Sequence, residues 1–129
     1  MILAGEFVPA VSDPSNIALQ VLNDLFGGSF SSRLNMNLRE DKRWSYGAGA
    51  VTLDNRGERP YFAVAPVQTD KTAESFAEVL REFREVRTTR PPTAAEILQA
   101  QNNLTLSQAG LFETVGAVEG GVGTLVRNG

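Results

Sequence analysis

The residues that most often perform chemistry in proteins are unevenly represented in this sequence. It contains 12 Lys and Arg and 15 Asp and Glu, but no histidine and no cysteine. A Ser-His-Asp triad, a thiolate nucleophile and a zinc site built on His or Cys ligands therefore cannot be assembled from this chain alone. The carboxylates show no calcium-loop or paired-acid spacing either. If the parent protein is an enzyme, we expect its essential chemistry to lie outside this chain.

Size and composition indicate a soluble globular unit. The 129 residues suffice for one domain, and 42% hydrophobic with 21% charged residues are ordinary proportions. The net charge of −3 comes without a basic block, so the electrostatic footprint of a nucleic-acid-binding protein is missing. No apolar run has the length of a membrane span, and residues 1–6 do not resemble a signal peptide. A signal could precede this segment in a longer gene product, so the bacterial periplasm and the cytoplasm both stay open as its compartment.

The first part of the chain predicts a strand and two helices. Residues 2–9 carry apolar, β-prone side chains. Asp13-Pro14 is typical of a helix start, with Asp13 as the N-cap and proline at the first helical position. Gly27-Gly28 is interpreted as the left-handed cap that ends this helix, and a shorter helix follows over 31–39. The predicted buried stripe of the first helix comprises Ile17, Ala18, Val21, Leu22, Leu25 and Phe26, and that of the second comprises Phe30, Leu34 and Leu38.

A hairpin and a longer helix are predicted next. Residues 45–54 and 60–68 read as strands, and Asp54-Asn55-Arg56-Gly57 between them has turn chemistry. Pro66 fits an edge or a bulge of the second strand. A helix capped by Asp70 extends to about Arg87. Its predicted buried face comprises Ala73, Phe76, Ala77, Leu80 and Phe83.

Two more helices are predicted beyond Pro91-Pro92. Thr93 and Glu96 form a capping box, in which the two residues satisfy each other's free backbone N–H groups. The helix that follows carries Ile97, Ala100, Leu104 and Leu111. The last helical segment, 114–126, contains interior glycines that each cost about 1 kcal/mol relative to alanine, so it needs tertiary support. This order predicts an α+β fold with helices layered on one face of a largely antiparallel sheet. Since no closing strand follows, residues 1–129 are interpreted as one partial domain, truncated at its C-terminus.

The stretch from Leu25 to Ala48 is the most specific part of the sequence. It contains Gly27-Gly28, then Phe30-Ser31-Ser32-Arg33-Leu34, then Leu38-Arg39-Glu40, then Ser45-Tyr46-Gly47. This ordered set strongly resembles the signature of the metal-free, C-terminal (inactive) domain of pitrilysin/insulinase-type zinc peptidases. Gln68-Thr69-Asp70, the Thr93–Glu96 helix start and the Glu113-Thr114 segment are similar to the same family. The resemblance therefore spans nearly the whole chain.

The resemblance implies a pitrilysin-like metalloenzyme fold and a role as the substrate-binding half of a zinc metalloendopeptidase. In that family the zinc lies in a partner domain or subunit, on an inverted His-x-x-Glu-His motif. There it activates water while the glutamate acts as general base. The metal-free domain contributes an arginine and a tyrosine, which match Arg39 and Tyr46 by position. The implied partners of this chain are the zinc-bearing domain and a peptide substrate, and no zinc is expected on the chain itself.

The chemistry gives these two residue types a reason. A tyrosine hydroxyl can donate to the oxyanion that forms when water attacks a peptide carbonyl, and losing such a donor costs about 10²–10³ in kcat. A guanidinium can fork onto a substrate carbonyl or carboxylate. Spacing alone favours a simpler interpretation, in which Arg39 is a solvated charge at a helix end and Tyr46 a half-buried strand residue. The resemblance favours the functional interpretation.

Alternatives remain open for the function and for individual residues. The same fold also occurs in subunits that have lost the zinc motif and serve assembly, so a non-catalytic scaffold subunit is the rival function. Arg33 is interpreted as a structural arginine that pairs with a carboxylate or a helix end. Arg43-Trp44 departs from the smaller pair common at this point of the family, which leaves the shape of the connection to Tyr46 open. Gly27-Gly28 lacks the residues of a phosphate loop. An exposed edge strand predicts self-association of the chain.

Overall fold

A computed structural model describes residues 1–53, 55, 57–110 and 112–128, without the side chains of 127 and 128. The strands are β1 (Ile2–Val8), β2 (Gly49–Thr52) and β3 (Arg59–Ala65). The helices are α1 (Asn16–Asn23), continued by a π-helical turn (Asp24–Gly28); α2 (Arg33–Asn35), continued by a π-helical segment (Met36–Asp41); α3 (Thr72–Glu85), preceded by a 3₁₀ turn (Thr69–Lys71); α4 (Ala94–Gly110); and α5 (Val115–Asn128). Asp54 and Arg56 of the predicted turn, and Leu111 of the predicted apolar stripe, lie outside the described residues.

The sheet is antiparallel, with β3 in the centre between β1 and β2. Successive residues of a strand point to opposite faces, and every second residue of β3 is buried. Tyr61, Ala63 and Ala65 on that buried face belong to one core cluster with residues of the helices. On the opposite face Leu3 and Phe7 of β1 are 59% and 71% exposed. The predicted α+β fold, with helices layered on one face of an antiparallel sheet, is confirmed.

The helical segment 33–41 forms the centre of the core. Leu34 and Leu38 lie four residues apart, on the same side of the helix, and both are completely buried, as predicted. Three aromatic rings pack in the same core: Phe26 lies 4.6 Å from Phe83 of α3, centroid to centroid, and Tyr61 approaches Phe83 edge-on at 6.3 Å. Burying a leucine side chain is favourable by about 1.5–3 kcal/mol. The segment that carries Arg39 is therefore held firmly at its middle.

Gly27 allows the end of the first helix to touch the sheet. A Cβ on this residue would lie 2.5 Å from the backbone nitrogen of Ala50 and 2.6 Å from its Cβ. The predicted left-handed helix cap at Gly27-Gly28 is wrong, because both glycines lie inside the π-helical turn. The glycine is required here for close packing on β2 rather than for an unusual φ.

The buried face of α1 differs from the predicted stripe. Ile17, Ala18 and Leu22 are exposed, whereas Leu25 and Phe26 are buried as predicted. Asn16 is buried instead, and its Oδ1 accepts a hydrogen bond from Nη2 of the buried Arg59 at 2.7 Å. A buried guanidinium requires acceptors. The helix therefore turns Asn16, rather than Ile17, toward the sheet.

A buried polar residue also changes which face of α3 packs on the core. Ala73, Phe76, Ala77 and Leu80 are exposed, and Phe83 is half-buried. The buried positions are Ser75, Val79, Glu82 and Val86, which also follow helical spacing. Glu82 accepts a hydrogen bond from Asn37 Nδ2 at 2.8 Å and lies 3.4 Å from Nη1 of Arg90. These partners offset part of the cost of burying the carboxylate through Oε1, while Oε2 has no hydrogen-bond partner among the described residues.

One predicted helix start is confirmed and two are wrong. The Thr93 N–H donates to Glu96 Oε2 at 2.8 Å, and the Glu96 N–H donates to Thr93 Oγ1 at 3.3 Å, which is the predicted capping box of α4. The Asp13 carboxylate accepts from the Ser15 N–H at 2.8 Å, so it closes a turn, and α1 begins only at Asn16. Asp70 lies within the 3₁₀ turn and makes no capping bond to α3.

The predicted hairpin is confirmed, but its strands are shorter than expected. β2 covers only Gly49–Thr52, and Ser45 joins the sheet through an isolated bridge to Val67. β3 ends at Ala65, so Pro66 lies beyond the strand rather than at its edge or in a bulge. The residues between the helical segment 33–41 and β2 therefore form a loop. Arg39 and Tyr46 lie at the two sides of that loop.

Candidate functional site

The chain reverses direction sharply after the helical segment 33–41. The Trp44 and Ser45 N–H groups both donate to the Leu38 carbonyl, at 2.9 and 3.2 Å. Arg43 makes this reversal with φ of 57°, the only positive φ of a non-glycine residue in the described part of the chain. Leu38 is itself completely buried. The turn is thus fixed to the core through the residue that precedes Arg39.

Ser45 braces the residue that follows it. Its Oγ donates to the Pro66 carbonyl at 2.6 Å and accepts from the Gly47 N–H at 3.1 Å. On the other side of the same loop, the Gln68 N–H donates to the Trp44 carbonyl at 2.9 Å. Tyr46 lies between these fixed points, and its side chain is 99% exposed. The backbone of Tyr46 is therefore anchored while its phenol points into solvent.

Arg39 and Tyr46 line one pocket of about 490 Å³. Ligand pockets in proteins commonly measure about 300–1,000 Å³. The remaining lining residues come from the turn and from the segment after β3: Glu40, Arg43, Trp44, Ser45, Pro66, Val67 and Gln68. The pair singled out in the sequence is thus brought to one cavity, and its catalytic role stays a prediction. The half-buried environment expected for Tyr46 as a plain strand residue is not observed.

Arg39 is oriented by two neighbours. Its guanidinium carbon lies 4.5 Å from the centroid of the Phe30 ring, and its Nε lies 3.4 Å from Glu40 Oε1. The prediction that Phe30 shares the buried face of Leu34 and Leu38 is wrong, since Phe30 is 64% exposed. A cation over an aromatic face is stabilised by the ring quadrupole. Phe30 therefore supports the arginine instead of filling the core.

Sequence reasoning did not place Trp44 and Gln68 in the site. Trp44 is half-buried between two cations, with Lys42 Nζ 5.5 Å and Lys71 Nζ 5.9 Å from its ring centroid. Gln68 Nε2 donates to the Arg43 carbonyl at 3.1 Å. The family-like Gln68-Thr69-Asp70 stretch and the unusual Arg43-Trp44 pair were the signals that could have indicated them. Their position depends on the bridge between Ser45 and Val67, which alternation alone does not reveal.

Arg33 has the structural role predicted for it. The side chain is 8% exposed, and its Nε and Nη2 donate to the two carboxylate oxygens of Glu96 at 2.6 and 2.8 Å. Nη2 also donates to the Pro91 carbonyl at 3.1 Å. The hydrogen bonds from Arg33 are the main reason that the pKa of Glu96 falls from 4.5 to about 2. This pair links the start of the helical segment 33–41 to the start of α4.

Neither a metal cluster nor a membrane-spanning helix occurs in the described part of the chain. Among the described residues, no group of three or more Asp or Glu side chains could hold a metal ion. In the same part of the chain, no helix is long and apolar enough to cross a membrane. The pocket beside Tyr46 is lined by hydrogen-bonding groups, two guanidinium groups and the carboxylate of Glu40.

Comparison with known families decides the identity of the fold. The family model described as the peptidase M16 inactive domain matches residues 1–104. The chain belongs to this family. The recognised resemblance to the metal-free domain of pitrilysin/insulinase-type peptidases is thereby confirmed. M16 inactive domains are non-catalytic domains of zinc proteases, and none of the curated proteins matches the chain significantly.

Solved structures show the same fold at low sequence identity. A peptidase M16 inactive domain from Pseudomonas fluorescens superposes with a TM-score of 0.85 at 20% identity, and a protease from Helicobacter pylori with 0.86 at 23% identity. Each match covers 98% of this chain and 30% of the other. A Bordetella pertussis Tohama I protein described as a proposed zinc protease gives a TM-score of 0.79 at 15% identity, with 98% of this chain and 69% of that one covered. The M16 inactive domain described here thus spans about 30% of the first two relatives.

Proposed function

We propose that this M16 inactive domain forms the substrate-binding wall of a zinc metalloendopeptidase, facing a zinc site held by another domain or subunit. The observation that carries the proposal is the placement of Tyr46. Its phenol is 99% exposed on a braced loop and shares a pocket with Arg39. A phenol hydroxyl that is held in solvent on a fixed backbone can donate a hydrogen bond to a bound molecule, and tyrosine is enriched at interfaces. Family membership supplies the class of the parent enzyme.

Each residue of the pair has a defined task under this proposal. Tyr46 donates a hydrogen bond to the oxyanion that develops on the peptide carbonyl, and Arg39 binds a carbonyl or carboxylate of the peptide to fix its position. The zinc of the partner domain supplies the activated water. Phe30 and Glu40 keep the Arg39 guanidinium oriented before substrate arrives. Such preorganisation reduces the entropy lost on binding.

The test is Tyr46→Phe in the complete parent protein. The variant loses only the hydroxyl, so kcat for peptide cleavage should fall about 10²-fold while KM changes little. Tyr61→Phe is the matched control, because Tyr61 is the second of the two tyrosines of the chain, lies buried on β3 and does not line the pocket. An unchanged kcat and KM in a folded Tyr46→Phe protein would show that the Tyr46 hydroxyl does not stabilise the transition state.

The competing function is that of a non-catalytic scaffold subunit. Zinc binding and peptidase activity of the parent protein distinguish it from the peptidase proposal. The peptidase proposal expects the 129-residue chain alone neither to bind zinc stoichiometrically nor to cleave peptides, and the parent protein to do both. It also expects a His-x-x-Glu-His motif in the same reading frame or in a neighbouring gene. A parent protein without that motif and without peptidase activity would favour the scaffold. Stoichiometric zinc on this chain alone would contradict both assignments.

A further inference from the structure

Arg43 is an unusual residue for its position in the pocket, because its backbone conformation favours glycine or asparagine over arginine. A residue that ends a helix with a positive φ is usually glycine or asparagine, since an L side chain is strained there. Arg43 adopts φ of 57° nonetheless. The hydrogen bonds that fix this turn run from the Trp44 and Ser45 N–H groups to the Leu38 carbonyl and from Gln68 to the Arg43 carbonyl, and none of them involves the Arg43 side chain. The local fold thus accounts for the backbone conformation at position 43 but gives no structural reason for an arginine side chain there.

The Arg43 guanidinium is free to bind a ligand. Within the described part of the chain it forms no ion pair and no side-chain hydrogen bond, and the residue is exposed at the pocket wall. Two other arginines are used structurally: Arg33 holds Glu96, and Arg90 holds Glu85 at 3.0 Å. Strained residues that persist without a structural reason cluster at functional sites. The strained backbone and the unpaired guanidinium together indicate that Arg43 binds a ligand.

The charges around the pocket favour an anionic group. Its lining contains two guanidinium groups, of Arg39 and Arg43, against the single carboxylate of Glu40. Lys42 and Lys71 add two cations beside the Trp44 ring, and Lys71 Nζ pairs with Glu74 at 3.2 Å. The chain as a whole carries a net charge of −3. The pocket is thus locally positive on an acidic protein.

We propose that Arg43, together with Arg39, binds a carboxylate of the peptide substrate and makes the enzyme prefer peptides that carry one near the scissile bond. The inference rests on the proposed function and adds a substrate class to it. Paired guanidinium groups match the two oxygens of a carboxylate and form charge-assisted hydrogen bonds. That carboxylate is either an acidic side chain or the C-terminus of a short peptide. Both are open to test with the same variants.

The experiment uses the complete parent protein and a short unstructured template peptide. Glu is placed in turn at each position within about four residues of the scissile bond, the reach of a pocket of this size. Each Glu peptide is compared with its Gln counterpart, and each is made with a free and an amidated C-terminus. For one position, kcat/KM of the Glu peptide should exceed that of the Gln peptide about tenfold, as expected for one partly exposed charged hydrogen bond. A preference for the free over the amidated C-terminus would instead identify the terminal carboxylate as the ligand.

Three variants assign the preference to Arg43. Arg43→Gln removes the charge and should abolish the carboxylate preference, whereas Arg43→Lys should retain most of it. Arg87→Gln is the matched control, since Arg87 is also exposed but lies outside this pocket, and it should keep the wild-type ratio. The preference should also weaken as ionic strength rises, because salt screens exposed charges.

The outcomes separate this inference from the proposed function. If the parent cleaves peptides but Arg43→Gln leaves both the Glu/Gln and the free/amide ratios unchanged, the carboxylate assignment is overturned while the peptidase proposal stands. If the parent cleaves none of the peptides, the peptidase proposal fails. Fluorescence anisotropy with labelled Glu and Gln peptides then decides the inference alone. Tighter binding of the Glu peptide that is lost in Arg43→Gln supports it, and equal binding overturns it.

Discussion

The ion pair between Arg33 and Glu96 gives the sharpest stability prediction. Arg33 is almost completely buried, and both of its contacts to the Glu96 carboxylate are shorter than 3 Å. Glu96 also accepts from the Thr93 N–H and hydroxyl at the start of α4. The change Glu96→Gln removes the charge but keeps a residue type that suits a capping box. It therefore isolates the ion pair from the helix cap.

The magnitude follows from the pKa of Glu96. The folded protein holds this pKa at about 2, against an ordinary 4.5, because Arg33 donates to the carboxylate, with smaller contributions from Thr93. A full shift of this size corresponds to about 3 kcal/mol. The side chain is 32% exposed, so solvent screening reduces the contribution to about 2 kcal/mol. We expect Glu96→Gln to lower the free energy of unfolding at pH 7 by about 2–3 kcal/mol, because it also leaves the Arg33 guanidinium without its counter-charge.

The pH dependence fixes the sign of the effect. Since the folded pKa is depressed, the ionised carboxylate contributes its full stability above pH 4.5, the unfolded value. That contribution is lost as pH falls from 4.5 through the folded value of about 2. Urea unfolding of wild type and Glu96→Gln at several pH values should therefore show two curves that converge in this window. Glu74→Gln serves as a control, because Glu74 forms an exposed pair with Lys71 and its loss should matter little.

Three results would refute this reasoning. A loss of stability in Glu96→Gln below about 1 kcal/mol at pH 7 would place the pair among ordinary surface ion pairs. A difference between the two proteins that stays constant from pH 7 to pH 2.5 would show that the carboxylate charge is not the cause. Convergence in Glu74→Gln of the same size would assign the pH effect to the overall charge of the protein.

Further predictions concern the turn, the core and the sheet. Arg43→Gly should raise the free energy of unfolding slightly, by about 0.5–1 kcal/mol, because relief of the positive φ outweighs the added entropy of the unfolded chain; destabilisation in urea unfolding would count against the strain. Leu34→Ala should cost about 2–5 kcal/mol, whereas Leu106→Ala, at 74% exposure, should cost little; similar urea midpoints would contradict the described core. The chain should self-associate through its exposed sheet, and Phe7→Lys should weaken this; light scattering that shows only monomer for the wild type across concentrations would exclude it.

The order of elements could be predicted from sequence because it depends on local patterns. The capping box at Thr93, the hairpin and the proline break all depend on residues close together in the chain. The faces of α1 and α3 could not be predicted in the same way. Asn16 is buried because it accepts a hydrogen bond from Arg59, which lies 43 positions away in the sequence. Glu82 is buried because it accepts one from Asn37, at a separation of 45 positions. A polar residue with a distant partner looks like a surface residue until that partner is known.

Some residues of the candidate site could likewise be predicted from the sequence, and others could not. Arg39 and Tyr46 were indicated by the family resemblance, and Arg33 by its chemistry. The positions of Arg43 and Phe30 depend on the reversal after Asp41 and on the stacking of an arginine over an exposed ring. Neither feature leaves a periodic signal. The unusual residue pair Arg43-Trp44 was visible in the sequence, but its meaning required the positive φ.

The placement of the pocket follows from how its supporting helix is held. Arg33 is tied to α4 at the start of the segment 33–41, Asn37 is tied to α3 in its middle, and Leu38 receives the two hydrogen bonds of the reversal. Cutting any of these ties should shift Arg39 relative to Tyr46. Catalytic contacts tolerate little displacement, since a misplacement of about 1 Å can cost 10²-fold in rate. Under the proposed function, the rigidity of this buried helix would therefore affect the rate at the zinc site of the partner domain. Asn37→Ala in the parent enzyme should accordingly lower kcat/KM even though Asn37 is buried and does not line the pocket, and activity at the wild-type level in a folded variant would contradict this coupling.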